Sequence, residues 1–73
     1  MHNASTRPTA DALAGMTVNE RLFHFGLMRA FDSAALAREH SALVRILVAA
    51  EFSETQANET AAAVLENPKL YGY

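Results

Sequence analysis

A chain of 73 residues with no cysteine, a hydrophobic fraction of 51% and a formal net charge of −2 excludes several classes of protein. Its length suits a single domain, its composition is too apolar for a disordered chain, and disulfide bonds and thiolate metal sites are ruled out. The acidic balance disfavours nucleic-acid binding, which requires a basic face. No apolar run approaches the ~20 residues that span a bilayer, and the N-terminus lacks a secretory signal, so we expect a cytoplasmic protein without membrane contacts.

The start of the chain differs in composition from the rest. The first 16 residues are mostly small and polar, and such a terminal segment cannot build a core. We therefore predict a flexible, disordered N-terminal arm over residues 1–16 and a helical domain over residues 17–73. No segment alternates apolar and polar residues with a period of two, which predicts an all-α fold.

The first helix is predicted to be long, from residue 18 to residue 37. Thr17 and Glu20 have the spacing of a capping box, in which each side chain accepts a hydrogen bond from the other residue's amide. The helix body holds no proline and one glycine, Gly26, which lowers the helix propensity by about 1 kcal/mol relative to alanine. We expect Gly26 to stay helical and to permit the close approach of a neighbouring helix.

Two shorter helices and a tail complete the predicted small three-helix bundle. The second helix is expected near residues 41–51, after a polar break. The third begins with a second capping box at residues 53–56 and ends just before Pro68, because the residue preceding a proline avoids the helical region. Leu70 and Tyr71 are expected to fold back on the core and so to anchor the C-terminal tail.

The predicted first helix carries large apolar side chains on two opposite faces, since successive residues lie ~100° apart. One stripe holds Val18, Leu22, Phe25 and Leu36, and the other holds Phe23, Leu27, Phe31 and Ala34. Two interpretations stay open. Either the other helices and the tail cover both stripes, or one stripe pairs with another chain, as in the common two-fold dimers.

The second interpretation predicts a non-enzymatic small helical interaction protein, which acts as a homodimer or as a small subunit docked on a larger partner. So short a chain has difficulty burying two apolar faces, and exposed apolar patches are rare in soluble monomers. The candidate interface is the second stripe, which consists of Phe23, Leu27, Phe31 and Ala34. On this interpretation, Phe31→Glu abolishes association and leaves much of the helicity.

Few residues are candidates for metal binding or catalysis. Glu20 and His24 lie one helical turn apart, but a metal site needs three or four ligands, so a surface pair is the simpler interpretation. Arg21, Arg29 and Asp32 fit an exposed polar stripe with ion pairs. No arrangement for nucleophilic catalysis stands out in the sequence, and we predict no enzymatic activity, no metal and no cofactor.

Two alternative functions stay open beside the interaction protein. The first is a small-ligand or metal-binding helical protein with Glu20 and His24 at the polar edge of its site. The second is a DNA-binding helix–turn–helix formed by the second and third helices. The would-be recognition helix, residues 54–66, carries acidic residues and neither arginine nor lysine, so its charge opposes the phosphates.

Two segments carry a resemblance to known proteins. Residues 18–23, Val-Asn-Glu-Arg-Leu-Phe, and residues 67–72, Asn-Pro-Lys-Leu-Tyr-Gly, are similar to segments of a group of short, uncharacterised bacterial all-helical proteins. The resemblance covers residues 16–73. It implies a bacterial cytoplasmic origin, and it implies no activity and no site residue.

Overall fold

The computed structural model describes residues 15–73, and that part of the chain contains helices and turns but no strand. The all-α prediction is therefore confirmed. The helices are α1 (Val18–His24), α2 (Met28–Leu36), α3 (His40–Ala49) and α4 (Glu54–Glu66), followed by a 3₁₀ helix at Pro68–Tyr71. The arm predicted over residues 1–16 lies outside the described residues, apart from its last two positions.

Both predicted capping boxes are present. The Thr17 hydroxyl accepts from the Glu20 amide at 3.1 Å, and the Glu20 carboxylate accepts from the Thr17 amide at 2.8 Å. Ser53 and Gln56 make the same exchange at 3.1 and 3.2 Å. Because each box satisfies two amides at a helix start, the residues next to the start determine where α1 and α4 begin.

The long first helix predicted over residues 18–37 is wrong, because the chain turns at Gly26 and forms two helices. Gly26 has a φ of +70°, a left-handed conformation that costs an L-residue about 1–2 kcal/mol. The Leu27 amide donates to the Leu22 carbonyl at 2.8 Å, which is the long hydrogen bond of a Schellman motif. Among the described residues, no atom outside the immediate neighbours lies within 4 Å of a Cβ built at Gly26. The close approach of a neighbouring helix that we predicted at Gly26 is therefore wrong.

The same turn geometry ends α2 and α3 without a glycine. Arg38 and Glu51 have φ values of +57° and +72°. The amides that follow them, of Glu39 and Phe52, donate to helix carbonyls five residues earlier at 3.0 and 3.1 Å. The directions of consecutive helices are therefore set by left-handed residues, of which one is glycine and two carry Cβ strain.

Gly26→Ala is expected to lower the free energy of unfolding by about 1–2 kcal/mol, because an L-residue is strained at positive φ. Urea denaturation measures this loss. Chemical synthesis with D-alanine at position 26 is the matched control, since a D-residue prefers positive φ and the space beside Gly26 is open. We expect the D-alanine protein to be at least as stable as the parent. Equal losses for both enantiomers would contradict the conformational explanation.

The core is centred on α3, which packs against α2 and α4. The largest fully buried side chains are Leu22, Leu43, Leu47 and Val64. Helix α4 enters the core mainly through small side chains, and Ala57 and Ala61 are fully buried. Small residues favour a close approach of the backbones of α3 and α4, and Val64 is the one large fully buried side chain that α4 adds.

Two arginines connect elements that are distant in the sequence. Arg21, predicted in an exposed stripe, is instead 8% exposed; its Nη1 donates to the Glu51 carbonyl at 3.2 Å. Its guanidinium carbon lies 4.1 Å from the ring centroid of Phe52, in a cation–π contact. Arg38 Nη2 donates to the Leu65 carbonyl at 3.0 Å, at the C-terminal end of α4, where a cation complements the helix dipole.

The tail differs from its prediction. Leu70 and Tyr71, expected on the core, are 77% and 47% exposed. Tyr73 contacts the core instead, because its hydroxyl donates to the Asp32 carboxylate and its ring centroid lies 6.4 Å from that of Phe31. Lys69, Leu70 and Tyr71 of the 3₁₀ helix therefore have exposed side chains, whereas Tyr73, two residues after its end, turns inward.

Candidate functional site

The four residues of the candidate interface do not share a surface. Phe31 and Ala34 lie in the core, where they are 2% and 5% exposed. Leu27 is partly buried in the turn between α1 and α2, and Phe23 stands 78% exposed on α1. A common stripe required one continuous helix, and the turn at Gly26 separates its two halves.

Glu20 and His24, the candidate metal-binding pair, have other partners. The Glu20 carboxylate accepts from the Thr17 amide, and the His24 ring lies edge-on to Phe25 at a centroid distance of 5.1 Å. Within residues 15–73, no group of three or more His, Cys, Asp or Glu side chains is placed to hold a metal ion. The geometry favours helix capping as the role of Glu20.

A groove of about 360 Å³ opens between the start of α1, α4 and the tail, and we call it the α1–α4 groove. Its lining includes Thr17, Val18, Phe31, Val64, Tyr71 and Tyr73. The nearly complete burial of Phe31 and Val64 makes them an apolar floor, whereas Asn19 and Thr60 add polar groups to the lining. The volume lies at the lower end of the range of about 300–1,000 Å³ that small-molecule sites span.

A second groove of about 290 Å³ runs along α2, and we call it the α2 groove. Met28, Asp32 and Leu36 line it from one face of α2, since residues four apart lie one above the other on a helix. Asn19 and two residues of the segment 71–73 line both grooves. The two grooves are therefore neighbouring parts of one surface.

Tyr73 lies at the junction of the grooves and makes three contacts. Its hydroxyl donates to Asp32, its ring is tilted by 46° to that of Phe31, and its amide donates to the Pro68 carbonyl at 2.9 Å. Gly72, with a φ of +87°, permits this return of the chain. Burial, with the hydrogen bond to Asp32 and the negative charge of Asp32, raises the pKa of Tyr73 above its ordinary value of 10.0.

We expect the free energy of unfolding to fall as the pH rises above about 10, since tyrosine in the unfolded chain ionises there. Folding favours the neutral phenol of Tyr73, because its pKa is higher in the folded protein than in the unfolded chain. The stability that this difference contributes is fully present below the pKa of the unfolded chain, and it is lost as the pH rises toward the pKa of the folded protein. Tyr73→Phe keeps the ring and removes the ionisable hydroxyl. Its cost at neutral pH should be about 0.5–1.5 kcal/mol, and the alkaline loss should be smaller. Urea unfolding across this pH range measures both, and an alkaline loss that Tyr73→Phe leaves unchanged would refute the assignment.

Large exposed side chains adjoin the grooves. Leu36 is 70% exposed and Tyr71 47% exposed at the α2 groove. Phe23 follows Asn19 by one helical turn, so it lies on the same face of α1 as this groove-lining residue. We call the surface formed by Phe23, Met28, Leu36, Tyr71 and Tyr73 the tail face.

The sequence pattern missed the tail face. Leu36 belongs to the other predicted stripe of the first helix, and Tyr71 was expected in the core. The sequence did show a surplus of large apolar side chains, which indicates an exposed apolar surface. It did not indicate which of these side chains lie on that surface.

Comparison with family models, curated proteins and solved structures finds no significant match to the chain. The resemblance to short bacterial helical proteins therefore stays a prediction, and the fold and the tail face are the basis for a functional proposal. Among the helices that the structure describes, none has both the length and the apolar content needed to cross a membrane.

Proposed function

We propose that this chain is a non-enzymatic small helical interaction protein and that it associates with another protein chain through the tail face. The observation that carries the proposal is the exposure of Leu36 and Tyr71 in the linings of the grooves, with Phe23 exposed one helical turn after the groove-lining Asn19. Soluble monomers rarely expose adjoining large apolar side chains, whereas interface cores are enriched in aromatic residues and methionine. The association takes the form of a homodimer or of a small subunit docked on a larger partner.

The charges near the grooves support this proposal. Asp32 is the acidic residue in their linings, and its carboxylate already accepts a hydrogen bond from Tyr73. A charge that enters an interface with a hydrogen-bond partner opposes association less than an unpaired one. Met28 adds a flexible apolar side chain that adapts to the shape of a partner.

The tail has a structural role in the proposal. We take it to be anchored through Tyr73, with the hydrogen bonds to Asp32 and Pro68 as support. Before a partner binds, an anchored Tyr73 keeps Tyr71 at the junction of the grooves, where the partner first reaches it. The helical domain of residues 17–73 then carries the whole interface.

Light scattering across a concentration series tests the homodimer directly. We expect the mass of the full chain to rise from that of a monomer toward that of a dimer, and Leu36→Glu to suppress the rise, because a carboxylate is costly in a desolvated interface. Leu70→Glu is the matched control, since Leu70 is 77% exposed, compared with 70% for Leu36. Leu36 lines the α2 groove, whereas Leu70 lines neither the α2 groove nor the α1–α4 groove.

The light-scattering results distinguish the homodimer from the docked subunit and test whether the tail face is the interface. A rise in mass that survives Leu36→Glu, or that both variants suppress equally, contradicts the tail face as the interface. A monomer at every concentration excludes the homodimer, and the docked subunit is then the form that stands. Circular dichroism of both variants establishes that a lost association is not lost folding.

A second candidate function is the binding of a small apolar ligand in the α1–α4 groove, which the volume and the apolar floor favour. A ligand that binds the folded state raises the melting temperature, and the gain grows with the logarithm of the ratio of ligand concentration to Kd. Thr60→Trp should fill the groove and remove such a gain. A gain that survives Thr60→Trp would place the ligand elsewhere.

A further inference from the structure

The recess that holds Tyr73 has the chemistry of a tyrosine-binding site. It offers the ring of Phe31 as an apolar contact and the Asp32 carboxylate as an acceptor for a phenol hydroxyl. Both groups stand at successive positions of α2, so a regular helix holds them at a fixed separation. The position of Tyr73 shows directly that a tyrosine side chain fits.

The surface offers more contacts than Tyr73 uses. Grooves of about 360 and 290 Å³ stay open on its two sides. One continues over Val18 and Val64, and the other over Met28 and Leu36. A tyrosine from another chain, flanked by apolar side chains, would reach Asp32 and fill the grooves as well. It would therefore gain contacts that the single residue Tyr73 does not make.

We propose that the recess over Phe31 and Asp32 is a receptor site for a tyrosine side chain of a protein partner, and that Tyr73 fills it in cis until the partner displaces it. This inference rests on the proposed function, since it names the group that the tail face recognises. Displacement leaves the four α-helices intact, because Tyr73 follows the 3₁₀ helix and is joined to it through Gly72.

The tethered tyrosine determines how strongly a partner must bind. A group attached by a short segment competes at an effective concentration of the order of millimolar. A free phenol therefore binds the intact protein weakly, and a partner needs the additional contacts in the flanking grooves to displace Tyr73. Removal of the Tyr73 side chain should expose the site to small phenols.

The experiment titrates the full chain and its Tyr73→Ala variant with p-cresol, which is the side chain of tyrosine, and follows the amide NMR signals of Phe31 and Asp32. Tyr73→Ala should bind p-cresol about tenfold more tightly than the parent, because the cis competitor is gone. Toluene lacks the hydroxyl and should bind Tyr73→Ala about fivefold more weakly than p-cresol. Adding Asp32→Ala should make the two ligands equal.

Tyr71→Ala is the matched control, since it removes a tyrosine from the same tail and leaves Tyr73 in the recess. It should bind p-cresol as weakly as the parent. Equal affinities of the parent and Tyr73→Ala, or equal binding of p-cresol and toluene to Tyr73→Ala, would overturn the receptor site.

A second measurement covers the case in which Tyr73→Ala does not fold. In the parent, excess p-cresol should weaken the nuclear Overhauser contacts between the rings of Tyr73 and Phe31, and toluene should weaken them less. Contacts that persist at saturating p-cresol would overturn the inference. If association depends on Leu36 but phenols do not bind, the receptor site alone fails. If phenols bind but the rise in mass survives Leu36→Glu, the tail face fails as the interface while the receptor site stands.

Discussion

Replacing Phe31 by glutamate is expected to unfold the helical domain, whereas the same replacement at Phe23 is expected to leave it folded. Phe31 is 2% exposed, and removing such a ring from a core costs about 3–5 kcal/mol. A carboxylate forced into the same place adds a desolvation cost of several kcal/mol. Together these costs exceed the free energy of unfolding of a small domain, which is roughly 5 kcal/mol, so circular dichroism should show the loss of the helices.

Phe23 supplies the matched control for this prediction. It is also a phenylalanine of the predicted stripe, but it is 78% exposed. Phe23→Glu should change the free energy of unfolding by no more than about 0.5 kcal/mol, as surface substitutions usually do. If Phe31→Glu kept the parent's helicity and melting temperature, Phe31 would not be in the core. The first-helix stripe would then regain its role as an interface.

Leu47→Ala is expected to lower the free energy of unfolding by about 2–5 kcal/mol, because it leaves a cavity in the centre of the core. Leu47 is fully buried on α3, and its carbonyl also accepts the Phe52 amide in the turn to α4. For a chain of this length, each kcal/mol lowers the melting temperature by about 4–8 °C. Urea denaturation and thermal melting measure the loss independently.

Leu70→Ala tests whether burial is the cause, since Leu70 is 77% exposed and the chemical change is the same. Its effect should stay within about 0.5 kcal/mol. Comparable losses for the two substitutions would mean that the tail contributes as much to the core as α3 does. That result would contradict the burial that the structure assigns to Leu47.

The starts of α1 and α4 were predictable because the groups that determine them are close in sequence, whereas α2 begins at Met28 without a side-chain cap and was not predicted. Thr17 and Glu20, like Ser53 and Gln56, exchange hydrogen bonds across three positions, and no distant residue is needed. Proline at position 68 likewise marks the end of α4 by local sterics alone. These features therefore agree between the sequence and the structure.

Helix ends were harder to predict, because a left-handed residue is identifiable in sequence only when it is a glycine that clearly breaks the pattern. Gly26 lies within a continuous apolar periodicity, which favoured one long helix and hid the turn. Arg38 and Glu51 adopt positive φ although their side chains do not favour it. Long-range bonds, such as that from Arg38 to the Leu65 carbonyl, accompany this strain.

Buried polar contacts were also beyond the sequence. Arg21 looks like a surface residue by its helical position, yet it lies over Phe52 and donates to the Glu51 carbonyl, thirty positions away. Asp32 and Tyr73 meet across 41 positions. Such pairs depend on how the helices are arranged, so no local pattern indicates them.

The sequence by itself determined the all-α class, the two capped helix starts and the excess of apolar side chains, because periodicity and capping are local properties. The tertiary structure decided which of those side chains are buried. A left-handed turn at Gly26 reorients α2 relative to α1, so Phe31 enters the core while Phe23 and Leu36 stay exposed. That backbone conformation divides each predicted stripe between the core and the surface, and the exposed members, Phe23 and Leu36, lie with Met28 and the tail tyrosines in the tail face.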